Sequence, residues 1–207
     1  MFSQDRDSQK IRIKDSIQII FLYMKVGIIS DTHDDIENVQ RAIEIFNAER
    51  IEYVIHAGDY VLPGIIKEFE TLNAKLIGVL GNNDGEKVHL LKNFLDIGGE
   101  LKGELGEIKL NGLEFGIYHG TAKEVKDLLV NSRKYDVLIC GHTHKTELPP
   151  VTPKEQQLGS NGKRLTTLVL NPGTAHKKIE SVSGAFTEGG IIIFDTQTKE
   201  YRFIDLP

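Results

Sequence analysis

Asp31-Thr32-His33, Gly58-Asp59, Gly81-Asn82-Asn83-Asp84 and Gly141-His142-Thr143-His144 are where this chain concentrates side chains able to hold a divalent metal, with His119 beside Gly120 between the last two clusters. Neutral imidazoles and carboxylates are the ligands of catalytic transition metals, and a centre of two ions needs several of each to converge. Asp31, His33, Asp59, Asn82, His119, His142 and His144 qualify. Their combined chemistry is that of a two-metal hydrolytic site. Singly, most clusters also have a structural reading: Asp31 and Asp34 as helix caps, Gly58-Asp59 and Asn82-Asn83-Asp84-Gly85 as turns. Gly-His-Thr-His is more specific, because two imidazoles in one tight loop are costly to desolvate without a partner.

Convergence depends on the elements that carry these residues. Each cluster follows an apolar, β-branched stretch: Val26 to Ile29 before Asp31, Tyr53 to Ile55 before Asp59, Lys75 to Leu80 before Asn82, Leu113 to Tyr118 before His119, and Asp136 to Cys140 before His142. Buried strands would present all of these side chains at their carboxyl ends, where open α/β sheets bind ligands. Ile36 to Glu49 places Ile36, Val39, Ala42, Ile43 and Phe46 on one helical face behind the capping candidates Asp34 and Asp35. Further helices are expected over 65–72, 86–94 and 122–132, the last burying Val125, Leu128 and Leu129. Alternating strands and helices imply parallel pairing. Asn111-Gly112, between two alternating runs, marks a hairpin that opens a second, antiparallel sheet. Strands at 166–170, 190–195 and 200–204 complete an α/β fold of two packed sheets flanked by helices.

The length of 207 residues suits one domain. A net charge of −5 supplies no general basic field, and no stripe of aromatics and arginines suggests an extended nucleic-acid surface. The one cysteine, Cys140, lies in an apolar run and cannot build a disulfide framework, which fits a cytoplasmic setting. Ser16 to Tyr23 is too short to span a bilayer, and Asp5, Asp7 and Asp15 spoil a signal peptide. Met24 opens directly onto the first core strand, so residues 1–23 are read as a disordered or loosely packed extension and residues 24–207 as the domain. The stretch 146–164, with three prolines after the histidine pair, is expected to be a mobile surface loop. His56, His89 and His176 are read as structural.

The order Asp-x-His, Gly-Asp, Gly-Asn-x-Asp, His, Gly-His-x-His resembles the calcineurin-like metallophosphoesterase superfamily from Met24 onward, and within it the compact bacterial and archaeal phosphodiesterases. The resemblance implies a four-layer αββα sandwich of two mixed sheets. It implies one metal on Asp31, His33 and His144, the other on Asn82, His119 and His142, and the Asp59 carboxylate bridging them. The metals expected are manganese or nickel, with iron or zinc as alternatives. A hydroxide bridging the two ions would attack a small phosphodiester, with no membrane involved and a homodimer left open. One departure stands out. Many members have a histidine after the ligand asparagine, touching the substrate phosphate, where this chain has Asn83. A neutral amide cannot act as a general acid, so Asn83 and its neighbour Asp84 are carried forward as candidate catalytic residues with altered roles. The alternative is a protein-binding scaffold like the retromer subunit that shares the fold but departs from the ligand pattern.

Overall fold

In the computed structural model, residues 24–148, 166–176 and 189–207 are described. The extension expected at 1–23 and most of the loop expected at 146–164 fall outside them. In chain order the elements are β1 (Lys25–Ile29), α1 (Ile36–Ala48), β2 (Tyr53–His56), a 3-10 helix (Pro63–Thr71), β3 (Lys75–Gly78), α2 (Lys87–Asp96) and β4 (Glu100–Leu101). Then follow β5 (Leu105–Leu110), β6 (Leu113–Tyr118), α3 (Lys123–Ser132), β7 (Val137–Ile139), β8 (Thr146–Glu147), β9 (Leu168–Pro172), β10 (Gly190–Asp195) and β11 (Tyr201–Asp205).

One sheet has the order β11-β10-β1-β2-β3-β4 and the other β5-β6-β7-β9-β8. In the first, β1 to β4 run parallel, with Ile28 opposite Ile55 and Ile55 opposite Ile77, while β10 and β11 add antiparallel strands. Side-chain alternation splits these strands between two cores. Ile28, Ile55 and Ile77 meet Phe115, Ile117 and Ile139 between the sheets. Ile29, Val54 and Leu76 face Phe46, Phe69 and Phe94 of the helical layer. Burial on both faces explains why the strands read as continuous apolar runs. A smaller cluster of Tyr135, Leu138 and Cys140 lies under Leu129 and Val130 of α3. The four layers are therefore αββα, both sheets mixed, as the resemblance implied.

Several local expectations are corrected. The segment expected as the second helix is a 3-10 helix opened by Pro63, without a side-chain cap, and burial of Ile65, Ile66 and Phe69 sustains it beyond the usual short length. The second sheet is mixed rather than antiparallel, because α3 is the crossover between β6 and β7 and such a connection returns the chain parallel. Val125 and Leu128 are exposed at 40% and 70%. The α3 face turned inward carries Lys126, Leu129 and Val130, and the Lys126 ammonium reaches Glu147. Thr146–Glu147, expected as loop, pairs with the end of β9.

Phe46, fully buried, packs closely on Gly27, where an added Cβ would come within 2.6 Å of its ring. Phe46→Ala is therefore expected to lower the unfolding free energy by about 3–5 kcal/mol in chemical denaturation. Leu128→Ala, on the open face of α3, should stay within about 0.5 kcal/mol.

Candidate metal centre

The parallel strands end together, and their loops are laced to one another beyond the sheets. Asp31 N–H donates to Gly58 O at 3.0 Å, His33 N–H to Asp59 O at 3.2 Å, and Asp34 N–H to Tyr60 O at 3.2 Å. This lacing forces an uncommon backbone. Asp31, His33, Asp59, His142 and His144 take φ values of 53°, 42°, 60°, 71° and 52°, the left-handed region disfavoured for residues with a Cβ. Asp35 then caps α1, accepting from Asn38 N–H at 3.1 Å.

Asp31, His33, Asp59 and His144 bring four ligand atoms within 4.8 Å of one another. His33 Nε2 and His144 Nε2 are 3.1 Å apart, and His144 Nε2 is 3.2 Å from Asp31 Oδ1. His33 Nε2 lies 3.9 Å from Asp31 Oδ1 and 3.7 Å from Asp59 Oδ2. Outside that set, the His119 ring packs edge-on against His142 at 5.2 Å between centroids. His119 Nδ1 donates to Ala57 O at 2.8 Å, so the neutral ring carries its lone pair on Nε2. That nitrogen is buried, makes no hydrogen bond, and lies 3.3 Å from Asp59 Oδ2 and 4.0 Å from Asp31 Oδ1. A lone pair facing carboxylate oxygens is relieved by a positive charge between them, a proton or a metal ion, and the donor set of Asp31, His33, Asp59 and His144 fits a divalent metal.

The supports are mostly polar groups acting on backbone. Asp84, buried, accepts four N–H groups: Asp59 at 3.0 Å, Tyr60 at 2.7 Å, Val61 at 3.0 Å and Gly81 at 2.6 Å. It thereby pins Val61, a β-branched residue at φ 77°. Asn83 donates its backbone N–H to Asp59 Oδ1 at 2.9 Å and its amide to Asp59 Oδ2 at 2.7 Å. Gly58 N–H donates to His56 Nδ1 at 3.1 Å, which leaves the His56 Nε2–H to donate to Thr32 Oγ1 at 3.2 Å. From the second sheet, Asn171 donates to Gly141 O at 2.9 Å and to Thr143 Oγ1 at 3.2 Å, while Thr174 Oγ1 donates to Asp31 O at 2.7 Å. Two glycines permit this closeness: a methyl at Gly141 would overlap Ser30 Oγ and Asp31 Oδ2, and one at Gly81 would overlap the Asp59 carboxylate.

Of the expected ligands, His142 also gives its backbone N–H to Asp31, at 3.0 Å from Oδ2. Asn82 is exposed, its side-chain oxygen accepting from Thr121 Oγ1 at 3.3 Å, and Asn83 is the asparagine against Asp59. His89 is on the surface with Glu86, and His56 is a buried strut, as read from the sequence. His176 is different, because its ring lies 6.1 Å from that of His33. Asn171 and Thr174 were also missed; the Asn171-Pro172-Gly173 punctuation after a strand was the available signal.

The electrostatics follow from the packing. Burial drives the Asp31 pKa up, but contacts with His144, His33, His119 and Ser30 override it and hold this carboxyl well below the usual range. Asp59 is likewise lowered, burial being outweighed by His119 and Asn83. The Asp31 carboxylate raises His33 against the cost of burial, and Asp59 and Asp31 raise His119 despite its deeper burial. His56, fully buried, is pushed down to about 3 by desolvation.

The calcineurin-like phosphoesterase superfamily domain matches residues 24–199. Phosphodiesterase MJ0936 of Methanocaldococcus jannaschii is 41% identical over 184 residues, covering 88% of this chain and 99% of its own. A solved archaeal phosphodiesterase superposes with a TM-score of 0.73 at 40% identity, over 88% of this chain and 100% of the other. Vps29 from Entamoeba histolytica, solved with zinc, gives a TM-score of 0.57 at 22% identity, over 86% and 89%. That last likeness is one of fold alone.

Two measurements probe the supports. Because the folded His56 pKa lies below its unfolded value of about 6.5, its neutral burial favours the folded state fully above that value, and the advantage is lost as the pH falls. His33 and His119, raised instead, act with the opposite sign, so the comparison is with a His56→Gln variant. The stability advantage of the wild type over that variant should shrink by about 2 kcal/mol between pH 7.5 and 5, and the His56 ring proton resonances should not titrate above pH 4. Asp84→Asn should weaken manganese(II) binding about ten- to hundredfold by calorimetry, since it loosens the backbone that aims Asp59.

Proposed function

The chain belongs to the calcineurin-like phosphoesterase superfamily and is a metal-dependent phosphoesterase, and from that premise we propose that it is a phosphodiesterase acting on small diesters with two divalent ions. The observation that carries this reading is the convergence of Asp31, His33, Asp59 and His144, with the buried His119 Nε2, which makes no hydrogen bond, 3.3 Å from Asp59 Oδ2. Asp31, His33 and His144 would hold one ion, Asn82, His119 and His142 the other, and Asp59 both. For Asn82 this requires its side chain to exchange Thr121 for the ion. When bound, the ions supply an acidified water near neutral pH and positive charge for the phosphoryl oxygens. Manganese or nickel is the proposed pair, and the cytoplasm the proposed setting.

The chain's own groups prepare the site. Asp31 and Asp59, held ionised by their neighbours, balance part of the incoming positive charge and leave an excess that attracts a phosphoester despite the acidic protein. The Nδ1–H of His119, committed to Ala57 O, fixes the tautomer that offers Nε2. Asn83 steadies the Asp59 carboxylate and cannot protonate a leaving group, so good leaving groups are favoured. No side-chain nucleophile is needed, and buried Cys140, pushed up to about 12 by desolvation, is unsuited to be one. Similarity to an archaeal phosphodiesterase, in sequence and in solved structure, supports the diester preference.

The test is hydrolysis of bis(p-nitrophenyl) phosphate and p-nitrophenyl phosphate by metal-stripped protein titrated with manganese(II), nickel(II) and zinc(II). Turnover should require metal and favour the diester, and Asp59→Asn should lower it by about a hundredfold or more. Ion binding without turnover on either ester would overturn the proposal and favour a protein-binding scaffold.

A further inference from the structure

His176 stands at the centre without belonging to its donor set. Its ring meets that of His33 edge-on, 6.1 Å between centroids at 85°, yet it contributes none of the four atoms gathered within 4.8 Å. The residue is half-buried, and its backbone is tied to the loop that carries Asp31 and His33. Ala175 N–H donates to Ser30 O at 2.9 Å, His176 N–H to Thr174 Oγ1 at 3.1 Å, and the same hydroxyl to Asp31 O at 2.7 Å. An imidazole on so fixed a base keeps its distance from the ligands rather than wandering.

We propose that His176 is a substrate contact, donating a ring N–H to a non-bridging phosphoryl oxygen of an ester bound at the metal centre, from the His33 side. This rests on the phosphoesterase reading above. A phosphoryl group drawn to the ions presents negative oxygens at the rim, and an imidazole beside His33 can reach one without displacing a ligand. Because every phosphoester has such oxygens, the contact serves monoesters and diesters alike, and it sets affinity for the phosphoryl group rather than the choice of leaving group.

The experiment is calorimetric titration of manganese(II)-loaded protein with inorganic phosphate, in wild type, His176→Ala and His176→Gln, with manganese(II) affinity measured separately. Removing a hydrogen bond to a charged group should weaken phosphate binding about tenfold or more in His176→Ala, while His176→Gln, which keeps an N–H donor, stays within about threefold of wild type. Manganese(II) affinity should stay within about twofold in both, and KM for the two nitrophenyl esters should rise by the same factor in His176→Ala. Unchanged phosphate affinity in His176→Ala would overturn the inference alone. So would a parallel loss of manganese(II) affinity, which would make the ring a support for His33. Failure of the wild type to bind phosphate in a metal-dependent way would sink the reading of the site itself.

Discussion

Two carboxylates, Asp31 and Asp59, are buried where the two sheets meet, and much of the structure serves to keep them there ionised and close together. Charged groups are expensive to bury, and two of the same sign more so. The cost is met by position. Ser30 hydroxyl and His142 N–H donate to Asp31, both donor groups of Asn83 point at Asp59, and imidazoles stand around both. Placing so many donors demands loops that approach within van der Waals contact. Glycine at 81 and 141 is a consequence of that demand.

The backbone carries part of the burden. Five expected ligand residues have positive φ, a conformation costing roughly 1–2 kcal/mol per residue, and such strain persists only where surroundings over-determine it. Here the surroundings are the loop-to-loop hydrogen bonds from Asp31, His33 and Asp34, together with the four N–H groups converging on Asp84. Asp84 therefore acts at a distance, through the backbone that aims Asp59. His56 does comparable work from below, joining the turn at Gly58 to Thr32 through its two ring nitrogens.

The fold was legible because doubly buried strands leave long apolar runs, and the candidate ligands because polar residues interrupt those runs abruptly. What could not be read was anything depending on three-dimensional phase or reach. Leu128 and Leu129 are equivalent in composition, and only the rotation of α3 about its axis decides that Leu129 packs on Tyr135, Leu138 and Cys140 while Leu128 faces out. Asp84 reads as a turn residue until the loop from Asp59 to Val61 is seen to end on it. Asn82 and Asn83 are adjacent and chemically identical, so which one meets Asp59 is a matter of backbone direction. His176 lies 143 residues from His33 in sequence and comes next to it in space because the turn after β9 is tied to the loop after β1, Ala175 N–H donating to Ser30 O.

The donors come from both sheets, and that has a mechanical meaning. His33 and His144 are separated by 111 residues and belong to loops on opposite halves of the sandwich. An ion gripped by both works as a removable cross-link, closing a very long loop in the chain at one atom. Since the unfolded chain cannot assemble that grip, every bound ion adds to resistance against unfolding in proportion to the logarithm of its free concentration. The machinery for hydrolysis is thus also the rivet between the two halves, and the durability of the protein rises and falls with the metal supply around it.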